Sequence, residues 1–249
     1  LHYPLRRQRQ MCIRDRVHTD KYHQVLEVGP GMGILSDILL ARPNLETYLI
    51  DIDVESVAFL ANKYPQLGNR LISGDFLKLD LTTIFPGKFA VIGNFPYNIS
   101  SQILFKILEH KDNVVEMVGM FQKEVAERCA SKSGTKEYGI LSVLIQAYYN
   151  IEYLFTVKPG TFNPPPKVNS GVIRLSRNEM ETLPCDEKLF WRTVKGGFNQ
   201  RRKTLRNALS GTIPKDKMDN HPFFDKRAEQ LSVEDFITLT QHLTHLTQV

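Results

Sequence analysis

Val25-Leu-Glu-Val-Gly-Pro-Gly-Met-Gly33 decides the architecture. A β-favouring apolar run enters three glycines at alternate positions, and a stretch with helical periodicity follows at once. Glycine lets the backbone turn with positive φ and come close to a ligand, while the following helix start offers unpaired N–H groups to polar atoms. Outward from this turn, β-rich runs at 25–28, 47–51, 70–73, 89–93, 114–121, 151–157 and 171–175 predict seven strands. Helical periodicity at 34–41, 54–63, 101–110, 124–130 and 140–149 fills most of the gaps, as in a parallel sheet with crossover helices. The last two strands have no helix between them. Lys158-Pro-Gly-Thr-Phe-Asn-Pro-Pro-Pro-Lys167 is too proline-rich for either regular element, so they form a long-looped hairpin and one runs antiparallel.

These strands and helices place an α/β catalytic domain at residues 17–177. The polar stretch 178–187 reads as a linker, and helical periodicity interrupted at Gly211, Pro214 and Pro222 predicts a small helical domain over 178–249. Its terminal helix starts at a capping-box-like Ser232 and Asp235. Residues 1–16, rich in Arg and Gln and without apolar periodicity, read as non-native and are excluded from the fold.

A chain of 249 residues with 42% hydrophobic content can bury one full core and a small appended one. Nothing approaches the roughly 18 to 20 apolar residues of a membrane span, and no signal-peptide pattern stands near the start. Cys12, Cys129 and Cys185 are odd in number, widely spaced and without metal-ligand spacing, so neither a disulfide framework nor a zinc site is indicated. His242 and His245 have no partner cluster in sequence and read as surface histidines. A cytoplasmic, monomeric protein with neither metal nor membrane is expected. The net charge of +5 permits a nucleic-acid partner. Its densest basic stretch holds Arg192, Lys195, Arg201, Arg202, Lys203 and Arg206, interleaved with Val194, Phe198 and Leu205. We expect Arg201, Arg202, Lys203 and Arg206 to contact RNA phosphates; the alternatives are a solvated face or internal ion pairs.

Two features of the glycine turn favour S-adenosylmethionine over a dinucleotide. The spacing is G-x-G-x-G rather than G-x-G-x-x-G, and Glu27 stands immediately before the turn, where an anion would repel pyrophosphate. Gly29 and Gly31 would line the cofactor, and Glu27 would orient its cationic methionine end. Asp51, ending the second strand, is the candidate acceptor for both ribose hydroxyls. Asp53 competes for that role, with helix capping as its other use. Asp75, after the third strand, would accept from the adenine amine of the cofactor with Phe76 against the ring; an Asx turn is the alternative.

Gly93-Asn-Phe-Pro-Tyr-Asn98 ends the fourth strand. The lone pair of an adenine amine is delocalised into the ring until acceptors draw its two protons out of conjugation. Asn94 can supply a side-chain oxygen, and Phe95 or Pro96 a backbone carbonyl. Pro96 restrains Phe95 toward extended geometry. Tyr97 can stack on the base, and in-line transfer then depends on positioning and electrostatics.

These stretches, with Phe121-Gln-Lys-Glu-Val125, Tyr138-Gly-Ile-Leu-Ser142, Phe162-Asn-Pro-Pro-Pro-Lys-Val168 and Phe198-Asn-Gln-Arg-Arg-Lys-Thr-Leu-Arg206, closely resemble the small-subunit ribosomal RNA adenine dimethyltransferases, the kasugamycin-resistance family. The resemblance covers roughly residues 24–249. It implies the class I methyltransferase fold, a Rossmann-like seven-stranded, mostly parallel sheet with a helical C-terminal domain. It also implies dimethylation of two adjacent adenines in a hairpin near the 3′ end of 16S rRNA, within the assembling small subunit. The family's cofactor contacts fall on Gly29, Asp51, Asp75 and Asn94; its Gly-Gln-(His/Asn)-Phe-Leu motif has no counterpart in residues 1–23. Two rivals share parts of the pattern. Large-subunit, antibiotic-resistance dimethyltransferases have the same chemistry but differ in the C-terminal half, and a non-catalytic RNA-binding assembly factor would not need Asn94, Pro96 and Tyr97.

Overall fold

The computed structural model describes residues 21–161 and 165–248. The stretch 1–16, the first residues of the expected catalytic domain, and Phe162, Asn163 and Pro164 of the proline-rich motif lie outside the described residues. In chain order the elements are β1 (Gln24–Val28), α1 (Ile34–Leu40), β2 (Glu46–Asp51), α2 (Val54–Lys63), β3 (Leu71–Ser73), α3 (Leu81–Ile84), β4 (Phe89–Asn94), α4 (Ser100–Glu109), β5 (Val114–Gln122), α5 (Lys123–Ala130), α6 (Ile140–Gln146), β6 (Tyr149–Val157), β7 (Ser170–Arg177), α7 (Glu187–Asn199), α8 (Leu205–Ala208) and α9 (Val233–Gln248), with short 3-10 turns between some of them. All seven expected strands are present. The helix expected over 140–149 stops earlier, because the β-favouring Tyr149-Asn-Ile151 opens β6 instead.

The sheet order is β3-β2-β1-β4-β5-β7-β6. Strands β1 to β5 pair in parallel, and β7 runs antiparallel to β5, one place in from the edge. Strands covered on both faces should be apolar throughout, and β5 is buried along 114–121. Glu116 sits within that strand, where its carboxylate accepts the Tyr22 hydroxyl at 3.0 Å. Strand order reverses between β1 and β4, and ligands of open α/β sheets collect at the carboxyl ends beside such a reversal. The ends of β1, β2, β3 and β4 lead into Gly29, Asp51, Asp75 and Asn94.

The chain forms two compact units. Among the described residues, one comprises 21–126, 150–161 and 165–177; the other comprises 127–149 and 178–248. The second unit therefore takes α6 from the middle of the chain. Its core packs Tyr138 edge-on against Phe198 (ring centroids 5.9 Å) and Phe198, tilted, against Phe236 (5.8 Å). Helix α9 begins with the expected reciprocal cap: Ser232 Oγ accepts from Asp235 N at 3.1 Å, and the Asp235 carboxylate from Ser232 N at 3.0 Å.

Candidate active site

Gly29, Gly31 and Gly33 all adopt positive φ, between 53° and 73°. At Gly33, which leads into α1, glycine is needed twice over, because a Cβ would also fall 2.8 Å from both Leu60 and the Tyr64 hydroxyl. The end of α2 braces this corner. Tyr64 Oη lies 2.6 Å from Asp37 Oδ1 and 2.8 Å from Gly33 O, while Lys63 Nζ donates to Asp37 at 2.9 Å and to Met32 O at 3.2 Å. A Cβ at Gly29 or Gly31 would meet nothing within 4 Å. The turn is thus fixed from behind and open in front, which fits a cofactor lying against its backbone.

Position 27 in sequence suggests an anion facing the turn. The structure instead buries Glu27 to 2% exposure, with its carboxylate accepting the Ser36 hydroxyl at 2.6 Å. Burial pushes the carboxyl up to about 8; the Ser36 bond opposes the shift, and the carboxylates of Asp37 and Asp51 add to it. A nearby cation would favour its charged form.

Asp51 and Asp53 separate clearly. Asp53 caps α2, accepting from Glu55 N, Ser56 N and Ser56 Oγ. Asp51 stands at the strand end, with Oδ2 on Gly31 N at 3.1 Å and Oδ1 on Asp53 N at 3.0 Å. A carboxylate has about four acceptor sites, so two remain for hydroxyl donors. Between them Ile52 is 70% exposed, and Met32 in the glycine turn is 57% exposed. Sequence alone does not single out these two apolar side chains, although an isoleucine between Asp51 and Asp53 is a signal for one of them. Asp75 makes an Asx turn, accepting Leu77 N at 3.0 Å through Oδ1, while Oδ2 lies 3.7 Å from Lys78 Nζ. Phe76 beside it is 5% exposed.

The turn after β4 alternates in and out. Asn94 is exposed, Phe95 is buried to 1%, Pro96 is exposed and Tyr97 half-buried. The Phe95 ring is a wedge over two glycines: a Cβ on Gly119 would lie 2.2 Å from it, and one on Gly93 2.9 Å. It packs on Phe121 at 5.0 Å between centroids, and Phe95 N donates to Met120 O at 3.2 Å. Pro96 O accepts from Ile99 N at 3.3 Å and Ser100 Oγ at 3.4 Å. Phe95 O has no such partner among the described residues, which makes it the better-placed of the two carbonyls that sequence left open. Tyr97 Oη lies 2.5 Å from Ser170 Oγ.

The four basic residues expected on RNA divide into two pairs. Arg201 donates to Thr135 O at 3.3 Å and lies 3.7 Å from Glu229; Arg206 reaches Met218 O at 3.3 Å and Asp219 O at 3.0 Å, with its guanidinium 5.3 Å from the Phe224 centroid. Arg202 and Lys203 are exposed and, among the described residues, make no side-chain ion pair. His242, expected as a plain surface residue, instead bonds Asp219 at 3.0 Å and stacks on His221 at 4.5 Å. No group of three His, Cys, Asp or Glu able to hold a metal ion occurs among the described residues, and no helix among them is long and apolar enough to cross a membrane.

The glycine turn with Asp51 and the turn after β4 share one sheet edge here, and the class of the fold is the S-adenosylmethionine-dependent methyltransferases. A model of the family "Ribosomal RNA adenine dimethylase" matches residues 11–245. A relative called "Ribosomal RNA small subunit methyltransferase A" from Cytophaga hutchinsonii is 58% identical over 223 residues, covering 90% of this chain and 86% of that protein. One of the same name from Flavobacterium johnsoniae is 55% identical over 233 residues, covering 93% and 89%. A dimethyladenosine transferase from Plasmodium falciparum superposes with a TM-score of 0.78 at 25% identity, covering 98% of this chain and 97% of that one. The 23S rRNA methyltransferase ErmE, with a TM-score of 0.70 at 22% identity over 94% and 97%, shows a shared fold. The chain belongs to the ribosomal RNA adenine dimethylase family, and it is an S-adenosylmethionine-dependent rRNA adenine dimethyltransferase.

Proposed function

We propose that this enzyme acts on the small subunit, methylating the amines of two adjacent adenines in a hairpin near the 3′ end of 16S rRNA, as a cytoplasmic monomer bound to the assembling subunit. The observation that carries the reading is the exposed Asn94 next to a Phe95 carbonyl without a partner among the described residues. Two acceptors side by side can take both amine protons and leave the nitrogen lone pair free to attack.

S-adenosylmethionine, when bound, would supply an electrophilic methyl carbon on a sulfonium, whose sulfur keeps the electron pair of the broken C–S bond and leaves as a neutral thioether. Gly29 and Gly31 present backbone to it, Asp51 takes its ribose hydroxyls, Asp75 and Phe76 hold its adenine, and Glu27 ionises toward its cationic end. Tyr97 stacks on the target base, and Pro96 keeps the Phe95 carbonyl extended toward the amine. Arg202 and Lys203 contact RNA phosphate, while Arg201 and Arg206 shape the loops that carry them.

The names of the relatives at more than 50% identity support the small subunit over the large one. The test is incubation with labelled S-adenosylmethionine and under-methylated small or large subunits, followed by mapping of the modified bases. Label at two adjacent adenines of 16S rRNA is expected. Label in 23S rRNA would support the large-subunit reading, and cofactor binding without transfer to either would point to an assembly factor.

A further inference from the structure

We propose that Ser170 is a positioning residue for methyl transfer, its hydroxyl holding the Tyr97 ring in the orientation that receives the target base. Ser170 opens β7 opposite Gln122 of β5 and is completely buried. A buried hydroxyl without a partner is costly, and the side chain that meets this one is Tyr97, at 2.5 Å between oxygens. Tyr97 stands just past the end of β4, and β5 lies between β4 and β7 in the sheet. The tyrosine therefore reaches across an intervening strand, a span of roughly 10 Å at two strand spacings.

The backbone at Tyr97 is fixed by its neighbours: it opens a 3-10 turn over Tyr97–Ile99, and Ser100 Oγ donates to Tyr97 O at 3.1 Å. These contacts leave the two side-chain torsions of the tyrosine unspecified. The bond at the far end of the ring supplies that constraint. A ring held at both ends presents one face to an incoming base and loses little rotamer freedom when the base arrives.

This inference rests on the reading of Tyr97 as the residue that stacks on the base. Its test is a double-mutant cycle with Ser170→Ala, Tyr97→Phe and the double variant, assayed on under-methylated small subunits for kcat, for KM of S-adenosylmethionine and for melting temperature. Each single change removes one net hydrogen bond and should lower kcat about threefold to tenfold. The double variant should be no slower than the worse single, with cofactor KM unchanged, kcat read at a temperature where every variant is folded, and the small lowering of melting that an unpaired Ser170 hydroxyl brings to Tyr97→Phe relieved in the double variant. Normal kcat in both singles, additive losses, or a loss of kcat that follows lowered melting would overturn the proposal. If Ser170→Ala fails to fold, Tyr97→Phe decides alone, since it removes the same bond from the half-exposed side. Tyr97→Ala separates the two levels. A near-normal rate there sinks the stacking reading itself, whereas a large loss beside harmless Ser170→Ala and Tyr97→Phe overturns only the positioning role.

Discussion

The carboxylate of Asp51 accepts the backbone N–H of Gly31 at 3.1 Å, so a side chain at the end of β2 holds the glycine turn that follows β1. Asp51→Ala should therefore remove two hydroxyl acceptors and loosen the turn together. Charge-assisted bonds of this kind are worth about 1.5 to 3 kcal/mol each, which predicts a loss of S-adenosylmethionine affinity of at least tenfold. RNA affinity should hardly change. Asp53→Ala removes a helix cap and should instead cost about 1 kcal/mol of stability with cofactor affinity kept. Calorimetry with both ligands, beside thermal melts, checks this; cofactor loss only in the Asp53 variant would transfer the ribose role to that residue.

Asn94 and Phe95 should fail in opposite ways. Asn94 is exposed, so Asn94→Ala is expected to leave melting unchanged while kcat falls about a hundredfold or more, the scale seen when one preorganised hydrogen-bonding group is lost. Phe95→Ala empties the space over Gly93 and Gly119 and should cost about 3 to 5 kcal/mol of stability. Near-normal turnover by the Asn94 variant would end its catalytic assignment.

Glu27 makes stability depend on pH. Its folded pKa, about 8, lies above the ordinary 4.5, so between those values the folded chain holds a proton that the unfolded chain has lost. Stability from this group is fully present below about pH 4.5 and declines toward pH 8, by about 1.4 kcal/mol per pH unit. Glu27→Gln should flatten that decline between pH 5 and pH 8. Parallel melting curves for the two proteins would refute it. Because a cationic ligand favours the carboxylate, cofactor binding at pH 7 should also release protons, read as a dependence of binding heat on the ionisation heat of the buffer.

The basic motif should separate by salt. Arg202→Gln with Lys203→Gln should weaken subunit binding and make its log–log salt slope shallower by roughly 0.7 to 0.9 per lost contact, with melting unchanged. Arg206→Gln breaks bonds to Met218 O and Asp219 O and should lower melting first. A shallower slope for the Arg206 variant at unchanged melting would return that arginine to the RNA.

Sequence carried the sheet because strands buried on both faces write themselves as apolar runs, and the glycine turn because its three positive-φ positions admit little else. Asp53 could be separated from Asp51 only partly, since helix capping is local whereas the Asp51 bond to Gly31 joins residues twenty apart. Sequence left internal pairing of Arg201 and Arg206 only as an alternative: Thr135 and Glu229 are distant from Arg201 in sequence, and charge density is the same whether a guanidinium faces water or a carbonyl. Burial of Glu27 was hidden for a similar reason, because its strand reads as an edge to the turn until α1 lays Ser36 over it.

The interleaving of the two units has a consequence for synthesis. Residues 127–149 leave the ribosome before the segment that begins at 178 and completes their unit. At about 5 to 20 residues per second, Leu141, Val143, Leu144 and Ile145 must wait seconds for the partners that will bury them. A nascent chain arrested after Arg177 would hold a finished set of seven strands and an orphaned apolar helix. Such a fragment should be captured by chaperones or aggregate, and the helical unit grafted alone from residue 178 onward would lack the helix that fills its own interior.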